Sequence, residues 1–178
     1  MLRRISEKQM VLAEGPVWDE RRQLLFYVDI RGKEVGCYDP GSNMHTFFPM
    51  KDMVGCIVLD EAGNLIAARK DMLVRLDPMT GEQRELFDFG LDEGMRFNDG
   101  KCDCRGRLWV GTMMTDEGSP RAKGAGTLYR YEKGRAAAVA DGFTIPNGIA
   151  FSADNRTFYH VDTPTGQICS YRFCEESG

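Results

Sequence analysis

Short apolar runs separated by turn residues recur along the chain in groups of four. Four segments align without gaps, and they cover residues 14–19, 55–60, 98–103 and 147–152. Their first residues are 41, 43 and 49 positions apart. A turn rich in Gly, Asn, Asp or Arg follows each segment, and a second apolar run follows each turn. Short runs bounded in this way predict β-strands joined in hairpins.

Each unit continues with a third run, and the first three units end with a fourth. The third runs are residues 36–40, 73–78, 126–131 and 167–173, and the fourth runs are residues 45–48, 84–87 and 136–139. Four strands per unit at a period of roughly 40–45 residues predict an all-β fold built from β-propeller blades. The alternative is a sandwich or open barrel of about fifteen strands, which would not need to repeat in sets of four. No window has a long helical period, so we expect little helix.

The repeat alignment gives Glu14, Asn98 and Asn147 one shared position, which Gly55 occupies in the second unit. The first strand of every propeller blade lines the central channel, so residues at this position are expected to converge on one axis. One carboxylate and two carboxamides supply the oxygen ligands that Ca²⁺, Mg²⁺ or Mn²⁺ prefer. The alternative is that each side chain only hydrogen-bonds to turn backbone. Three such residues in one register favour the cation site.

Two residues beside Asn98 leave alternatives open. If the third unit were aligned by its glycine, Asp99 would take the shared position, but the aspartate that ends the first three aligned segments favours Asn98. Arg96 is permanently charged and suits an oxygen-rich substrate or a developing oxyanion. The alternative for Arg96 is a surface ion pair with Glu93 or Asp92.

Composition excludes several classes of function. A chain of 178 residues is long enough for one domain, residues 1–178, with a sizeable core. The net charge of −4 argues against a protein that binds nucleic acid or anionic membranes. The N-terminus lacks the apolar region of a secretory signal and no run could span a bilayer, so we expect a cytoplasmic protein.

The cysteines and histidines predict structural roles. The six cysteines lack a disulfide pattern, and we expect reduced thiols. Cys102 and Cys104 could form half of a zinc site, but no second Cys/His pair stands at ligand spacing. His45 and His160 are isolated in sequence, and no serine or cysteine nucleophile motif accompanies them.

Five motifs occur together in a recognisable order. They are Glu-Gly-Pro-Val-Trp at 14–18, Arg-Phe-Asn-Asp-Gly-Lys at 96–101, Trp-Val-Gly-Thr-Met at 109–113, Gly-Thr-Leu-Tyr at 126–129 and Pro-Asn-Gly-Ile at 146–149. From Val11 onward the chain resembles the SMP-30/gluconolactonase/LRE family, which includes regucalcin and the bacterial sugar lactonases. The resemblance implies a six-bladed β-propeller that hydrolyses sugar lactones. It also implies a central divalent cation (Ca²⁺, Zn²⁺, Mn²⁺ or Mg²⁺).

The resemblance also implies roles for individual residues. The family's metal-binding glutamate and asparagine match Glu14 and Asn147, and its substrate-contacting arginine and asparagine match Arg96 and Asn98. An acidic residue on the loop after Gly-Thr-Met often meets the sugar hydroxyls, and Asp116 or Glu117 could take this part. The small-molecule partner is thus expected to be a sugar lactone.

The chain departs from the family pattern at its end. Gly178 falls in the fourth unit, so the sequence predicts about three and a half blades, and six would need roughly another hundred residues. The family's remaining metal ligand, an aspartate that also serves as general base, is expected beyond Gly178. We therefore assign no catalytic residue within the chain and expect a fragment of a longer lactonase. The alternatives are a non-catalytic cation-binding propeller and a fragment with no activity of its own.

Overall fold

Fifteen β-strands and one 3₁₀ turn form the regular structure of residues 3–178, the part of the chain that the computed structural model describes. The strands are β1 (Ala13–Asp19), β2 (Leu24–Asp29), β3 (Glu34–Asp39), β4 (Met44–Pro49), β5 (Val54–Leu59), β6 (Leu65–Arg69), β7 (Met72–Leu76), β8 (Gln83–Asp88), β9 (Met95–Cys102), β10 (Leu108–Met114), β11 (Gly126–Glu132), β12 (Arg135–Phe143), β13 (Pro146–Phe151), β14 (Thr157–Asp162) and β15 (Gln167–Arg172). The 3₁₀ turn covers Thr163–Thr165. The prediction of an all-β fold is confirmed.

The strands form four antiparallel sheets that follow chain order. Strands β1–β4, β5–β8 and β9–β12 make four-stranded sheets, and β13–β15 make a three-stranded sheet. The first strand of each sheet contacts the first strand of the next sheet, so β1, β5, β9 and β13 surround one axis. This is the arrangement of propeller blades. Residues 3–178 thus form three complete blades and three strands of a fourth, slightly more than the predicted three and a half.

The turn between the first and second strand of each blade is held by the last residue of the aligned segment. Asp19 accepts hydrogen bonds from the backbone N–H groups of Arg21 and Arg22, and Asp60 accepts one from Asn64. In the other two blades Asp103 and Ser152 have the same role, with backbone N–H donors from residues 105, 107, 156 and 157. A side-chain acceptor that closes its own turn explains why this position repeats.

Apolar cores lie between neighbouring blades. Leu108 and Val110 on β10 pack toward blade 2, whereas Trp109 between them packs toward Ile149 and Phe158 of blade 4. Successive residues on a strand point to opposite faces, so a strand with a blade on each side is apolar throughout. This explains why the second run of each unit is continuous rather than alternating.

A buried ion pair supports the interface between blades 3 and 4. The carboxylate of Asp103 accepts hydrogen bonds from Nε1 of Trp109 at 2.9 Å and from Nε of Arg107 at 2.6 Å. Arg107 also donates to the backbone carbonyl oxygen of Glu175 at 2.8 Å. The ion pair forms within blade 3, and the bond from Arg107 to Glu175 joins it to blade 4.

The cysteines are free thiols throughout residues 3–178. Cys37 and Cys56 are buried and Cys102 is half-buried, whereas Cys104, Cys169 and Cys174 are exposed. Residues 3–178 contain no helix with the length and hydropathy that a membrane crossing requires.

Candidate functional site

A cavity of about 560 Å³ lies where the four first strands meet. Polar side chains from three blades line it, namely Glu14 of β1, Asp99 and Lys101 of β9 and Asn147 of β13, together with the thiol of Cys56 from β5. The predicted convergence of strand starts is therefore present. One predicted member of the group, Asn98, is not part of this lining.

Each first strand contains a one-residue β-bulge at the cavity, and its position differs between blades. In blade 1 Glu14 pairs with Val28, and the bulge follows it at residues 15–16. In blade 4 Asn147 pairs with Val161, and the bulge follows it at residues 148–149. In both blades a glycine with positive φ comes next, Gly15 at 60° and Gly148 at 48°. Glycine adopts this conformation at little cost, and the preceding side chain faces the cavity.

In blades 2 and 3 the bulge lies one residue earlier, at residues 55–56 and 98–99. The shared position now falls inside the bulge, and the side chain that enters the cavity is the next one, Cys56 or Asp99. Asn98 turns toward blade 4, where its Nδ2 donates to the carbonyl oxygen of Pro146 at 3.0 Å. The gapless alignment matches the strand pairing, but Asp99 takes the place in the cavity that was expected for Asn98.

The side-chain amide of Asn147 has a fixed orientation. Its Nδ2 donates to Oγ1 of Thr163 at 3.3 Å, and its Oδ1 accepts the backbone N–H of Gly148 at 3.1 Å. Because a carbonyl oxygen has two lone pairs, Oδ1 retains one for a ligand in the cavity. Asn147 can therefore act as an oxygen donor.

The two carboxylates raise the local negative charge. Burial raises the pKa of Glu14, the charge of Asp99 raises it further, and the charge of Arg96 opposes both effects. A divalent cation would relieve this repulsion, and two carboxylates with one carboxamide are hard oxygen donors that fit such an ion. Within residues 3–178 no cluster of three or more His, Cys, Asp and Glu side chains is arranged to hold a metal. The site thus offers a small donor set of mixed carboxylate and amide oxygens.

Arg96 is buried beside this cavity, with 3% of its surface exposed. Its Nη1 donates to the carbonyl oxygen of Phe97 at 2.9 Å and to Oδ1 of Asn98 at 3.0 Å, and its Nη2 lies 3.5 Å from Oε1 of Glu117. Burial lowers the pKa of Arg96, while the charges of Glu117 and Glu14 act in the opposite direction. The alternative of a surface pair with Glu93 or Asp92 is wrong, since Arg96 is buried and its carboxylate partner is Glu117.

The loop that carries Glu117 contacts both Arg96 of blade 3 and Arg31 of blade 1. It covers residues 115–125, whereas the equivalent turns in blades 1, 2 and 4 have two to four residues. Oε1 of Glu117 lies 3.3 Å from Nη2 of Arg31, which belongs to the β2–β3 turn of blade 1. Asp116 instead accepts the backbone N–H of Gly118 in its own turn. Of the two acidic candidates, Glu117 is the one that contacts Arg96.

Arg31 was not among the predicted site residues, and Asp99 was only the alternative to Asn98 at the shared position. Arg31 follows the second strand of its blade, at the same face as the starts of the first strands. Its position after the second strand could have identified Arg31 as a candidate from the sequence. The side-chain direction of Asp99 depends on the bulge position, which the apolar pattern does not report.

Comparison with known proteins gives a consistent result. The sequence profile of the SMP-30/Gluconolactonase/LRE-like region matches residues 12–178. The 6-deoxy-6-sulfogluconolactonase of Pseudomonas putida is 33% identical over 178 residues, which are 98% of this chain and 60% of the relative. The pentonolactonase XacC of Haloferax volcanii is 30% identical over 177 residues, which are 98% of this chain and 58% of the relative.

A solved structure has the same fold. Regucalcin from Agrobacterium tumefaciens, described as a calcium-binding protein, has a TM-score of 0.85 and 29% sequence identity to this chain. The match covers 96% of this chain and 57% of that protein. The chain thus spans less than two thirds of the length of the relatives it matches.

Proposed function

Because the chain belongs to the SMP-30/gluconolactonase/LRE-like family, we propose that its axial cavity serves divalent-cation-dependent hydrolysis of sugar lactones. The relatives with lactonase names support a carboxylic-ester hydrolase of this class. The single observation that carries the proposal is the convergence of Glu14, Asp99 and Asn147 on one cavity beside the buried Arg96.

Glu14 and Asn147 would hold the cation, through one carboxylate and the free lone pair of one carboxamide. Such oxygen ligands suit Ca²⁺, Mg²⁺ or Mn²⁺, and Zn²⁺ accepts carboxylate oxygen as well. A bound divalent cation supplies Lewis acidity toward a carbonyl oxygen. Because Glu14 and Asn147 come from blades 1 and 4, they approach such an ion from different sides of the axis.

Arg96 and Asn98 would orient the lactone. The guanidinium of Arg96 is fixed by Phe97 and Asn98, so its remaining N–H groups are presented in one direction. A fixed guanidinium binds sugar oxygens and stabilises the negative charge that develops when water adds to the ester carbonyl. Asn98 contributes mainly by holding Arg96, because its amide nitrogen already donates to the carbonyl oxygen of Pro146. Glu117 would accept hydrogen bonds from sugar hydroxyl groups beside Arg96.

Hydrolysis needs an acceptor for the proton of the attacking water. In this proposal the acceptor is the aspartate that the family resemblance expects after Gly178. The expected products are one equivalent of the open hydroxy acid and one proton at neutral pH. Proton release therefore measures turnover directly.

The test combines cation binding and turnover on one set of variants. Glucono-1,5-lactone hydrolysis is followed by proton release with a pH indicator, and Mn²⁺ or Ca²⁺ binding by calorimetry. We expect Glu14→Ala combined with Asn147→Ala to lose cation binding in this chain. Turnover is measured in a chain extended to include the expected aspartate, and the same double variant should lose it there. The matched control is Asp141→Asn, which removes an exposed carboxylate from β12 outside the cavity.

Activity that survives in the double variant would rule out this site. Cation binding without turnover of any lactone would favour the second candidate, a non-catalytic cation-binding propeller. The calcium-binding description of the Agrobacterium regucalcin is the observation that favours this candidate.

A further inference from the structure

Asp99 connects the bulges of two neighbouring blades. It lies in the bulge of blade 3, where its Oδ1 accepts the backbone N–H of Gly100 at 2.8 Å. Its Oδ2 accepts the backbone N–H of Ile149 at 3.3 Å, and Ile149 lies in the bulge of blade 4. The same carboxylate lines the axial cavity with Glu14 and Asn147. Asp99 can therefore affect the cation site both through the bulge of blade 4 and through its own charge in the cavity.

On the basis of the proposed function, we infer that Asp99 is a positioning residue of the cation site. It holds the bulge that presents Asn147 and adds a second negative charge to the cavity. It acts through Asn147 and through its charge rather than as one of the two proposed ligands. Neither the gapless alignment nor the motif match assigns this role to Asp99.

Asp99 supports the backbone that presents Asn147. Asn147 is tied to Thr163 by its amide nitrogen and to Gly148 by its amide oxygen, and the bulge continues directly into Ile149. Ile149 is buried against Trp109 and Phe158, so its backbone is well defined. The hydrogen bond from Ile149 to Asp99 fixes the other end of the bulge from the neighbouring blade. A carboxylate acceptor makes this bond stronger than a neutral one would.

Asp99 also changes the charge of the cavity. Glu14 supplies one negative charge to a cavity that Lys101 also lines, and Glu14 interacts with the charge of Arg96. Asp99 adds a second carboxylate, which offsets these positive charges and favours a dication. Glu14 and Asp99 line the same cavity, and the charge of Asp99 raises the pKa of Glu14. Groups that orient metal ligands from outside the coordination shell commonly change metal affinity by about 10–100-fold when they are replaced.

A competing interpretation gives Asp99 a role only within its own blade. Asp99 could serve only to close its own bulge through Gly100, as many aspartates close turns. Asp99→Asn separates the two interpretations, because asparagine keeps the size and an acceptor oxygen but removes the charge. A purely local role predicts that this variant changes cation affinity little.

The experiment is a calorimetric titration of the complete 178-residue chain with Mn²⁺ at low and high NaCl concentrations. We expect Asp99→Asn to weaken Mn²⁺ binding about 10-fold or more at low salt. The difference from wild type should shrink at high salt, because screening reduces the contribution of the charge. Asp99→Glu should recover part of the affinity, and Asp141→Asn should bind like the wild type. Equal affinities of Asp99→Asn and the wild type at low salt would overturn the inference.

Further measurements keep the outcome decisive. Circular dichroism and urea unfolding report whether Asp99→Asn is folded, and Asp99→Ser is a second neutral variant if it is not. If the wild type binds Mn²⁺ and Glu14→Gln abolishes binding while both neutral Asp99 variants bind normally, the inference fails and the proposed site stands. If the wild type does not bind Mn²⁺, the proposed function and the inference both fail.

Discussion

Asp103 is a buried carboxylate that remains charged because four donors surround it. Burial alone would raise its pKa, but hydrogen bonds from Trp109 and Arg107 and from two backbone N–H groups outweigh burial and lower the pKa below its ordinary value of 3.8. Its side chain is fully inaccessible to solvent, and that of its partner Arg107 is nearly so. Such a pair is costly to break, since the remaining charge stays buried.

We expect Asp103→Asn to lower the free energy of unfolding by about 3–5 kcal/mol at pH 7, because Arg107 loses its counter-charge. A depressed pKa in the folded protein stabilises it above the ordinary pKa, and this contribution is lost as the pH falls through the folded pKa. The wild type should therefore lose stability more steeply than Asp103→Asn on acidification below about pH 4. Urea unfolding of both proteins between pH 7 and pH 3 measures the difference.

The control for this prediction is Asp141→Asn, an exposed position on β12. It should leave both the stability at neutral pH and its acid dependence close to those of the wild type. Parallel pH curves for Asp103→Asn and the wild type would contradict the assigned cause.

At the residue scale, the sequence predicts part of the site. Glu14 and Asn147 could be found because each precedes a glycine that makes the bulge, so the motif itself records the geometry. Asn98 and Asp99 could not be told apart, because a bulge places two residues opposite one and interrupts the alternation of side chains. Arg96 and Glu117 are 21 residues apart, and only the folded loop brings them together.

At the element scale, Gly55 shows how closely the inner strands pack. A Cβ atom at this position would lie 2.5 Å from the backbone carbonyl oxygens of Phe97 and Asn98 on β9. Backbone atoms cannot yield as a flexible side chain can. The absence of a side chain on β5 therefore permits the close approach of blades 2 and 3.

We expect Gly55→Ala to cost about 1–3 kcal/mol of the free energy of unfolding, because the added methyl group overpacks this interface. Urea denaturation followed by tryptophan fluorescence measures the cost. Gly118→Ala is the matched control, since its added methyl group would contact only Asp116 at 3.5 Å and its backbone is not in the left-handed region. Equal stability of the two variants would show that blades 2 and 3 can separate without cost.

The strands themselves were largely predictable, and their ends were not. The fourth run of the third unit was predicted at residues 136–139, whereas β12 covers Arg135–Phe143. Its additional residues pair with β11 although most of them are exposed. An apolar pattern detects burial, and this strand end is fixed by backbone hydrogen bonds that leave no such pattern.

At the scale of the whole molecule, burial divides the six thiols into two groups. Burial raises the pKa of Cys37 and of Cys102 to about 11, and it raises the pKa of Cys56 well above its ordinary value. Cys104 and Cys169 are exposed, and hydrogen bonds from Ser177 lower the pKa of the exposed Cys174. Thiol reagents react with the thiolate, so accessibility and pKa act in the same direction.

We expect three thiols of the native chain to react rapidly with a disulfide reagent near pH 8, and the other three only after unfolding in guanidinium chloride. Cys174 should react first, because its pKa is lowered. Absorbance of the released thiolate counts the thiols, and peptide mapping identifies them. Six equivalents released at one rate by the native chain would contradict this arrangement of blades.

The four bulges at the axis also bear on how such proteins diverge. Each bulge offers two adjacent backbone positions, and a shift of one residue decides which side chain enters the cavity. Moving a bulge by one residue exchanges the side chain of one cavity wall while the strand order of the blade is kept. The fold therefore leaves the chemistry at the axis open to change wherever a bulge tolerates a new side chain, which the bulge of blade 2 at Gly55 does not.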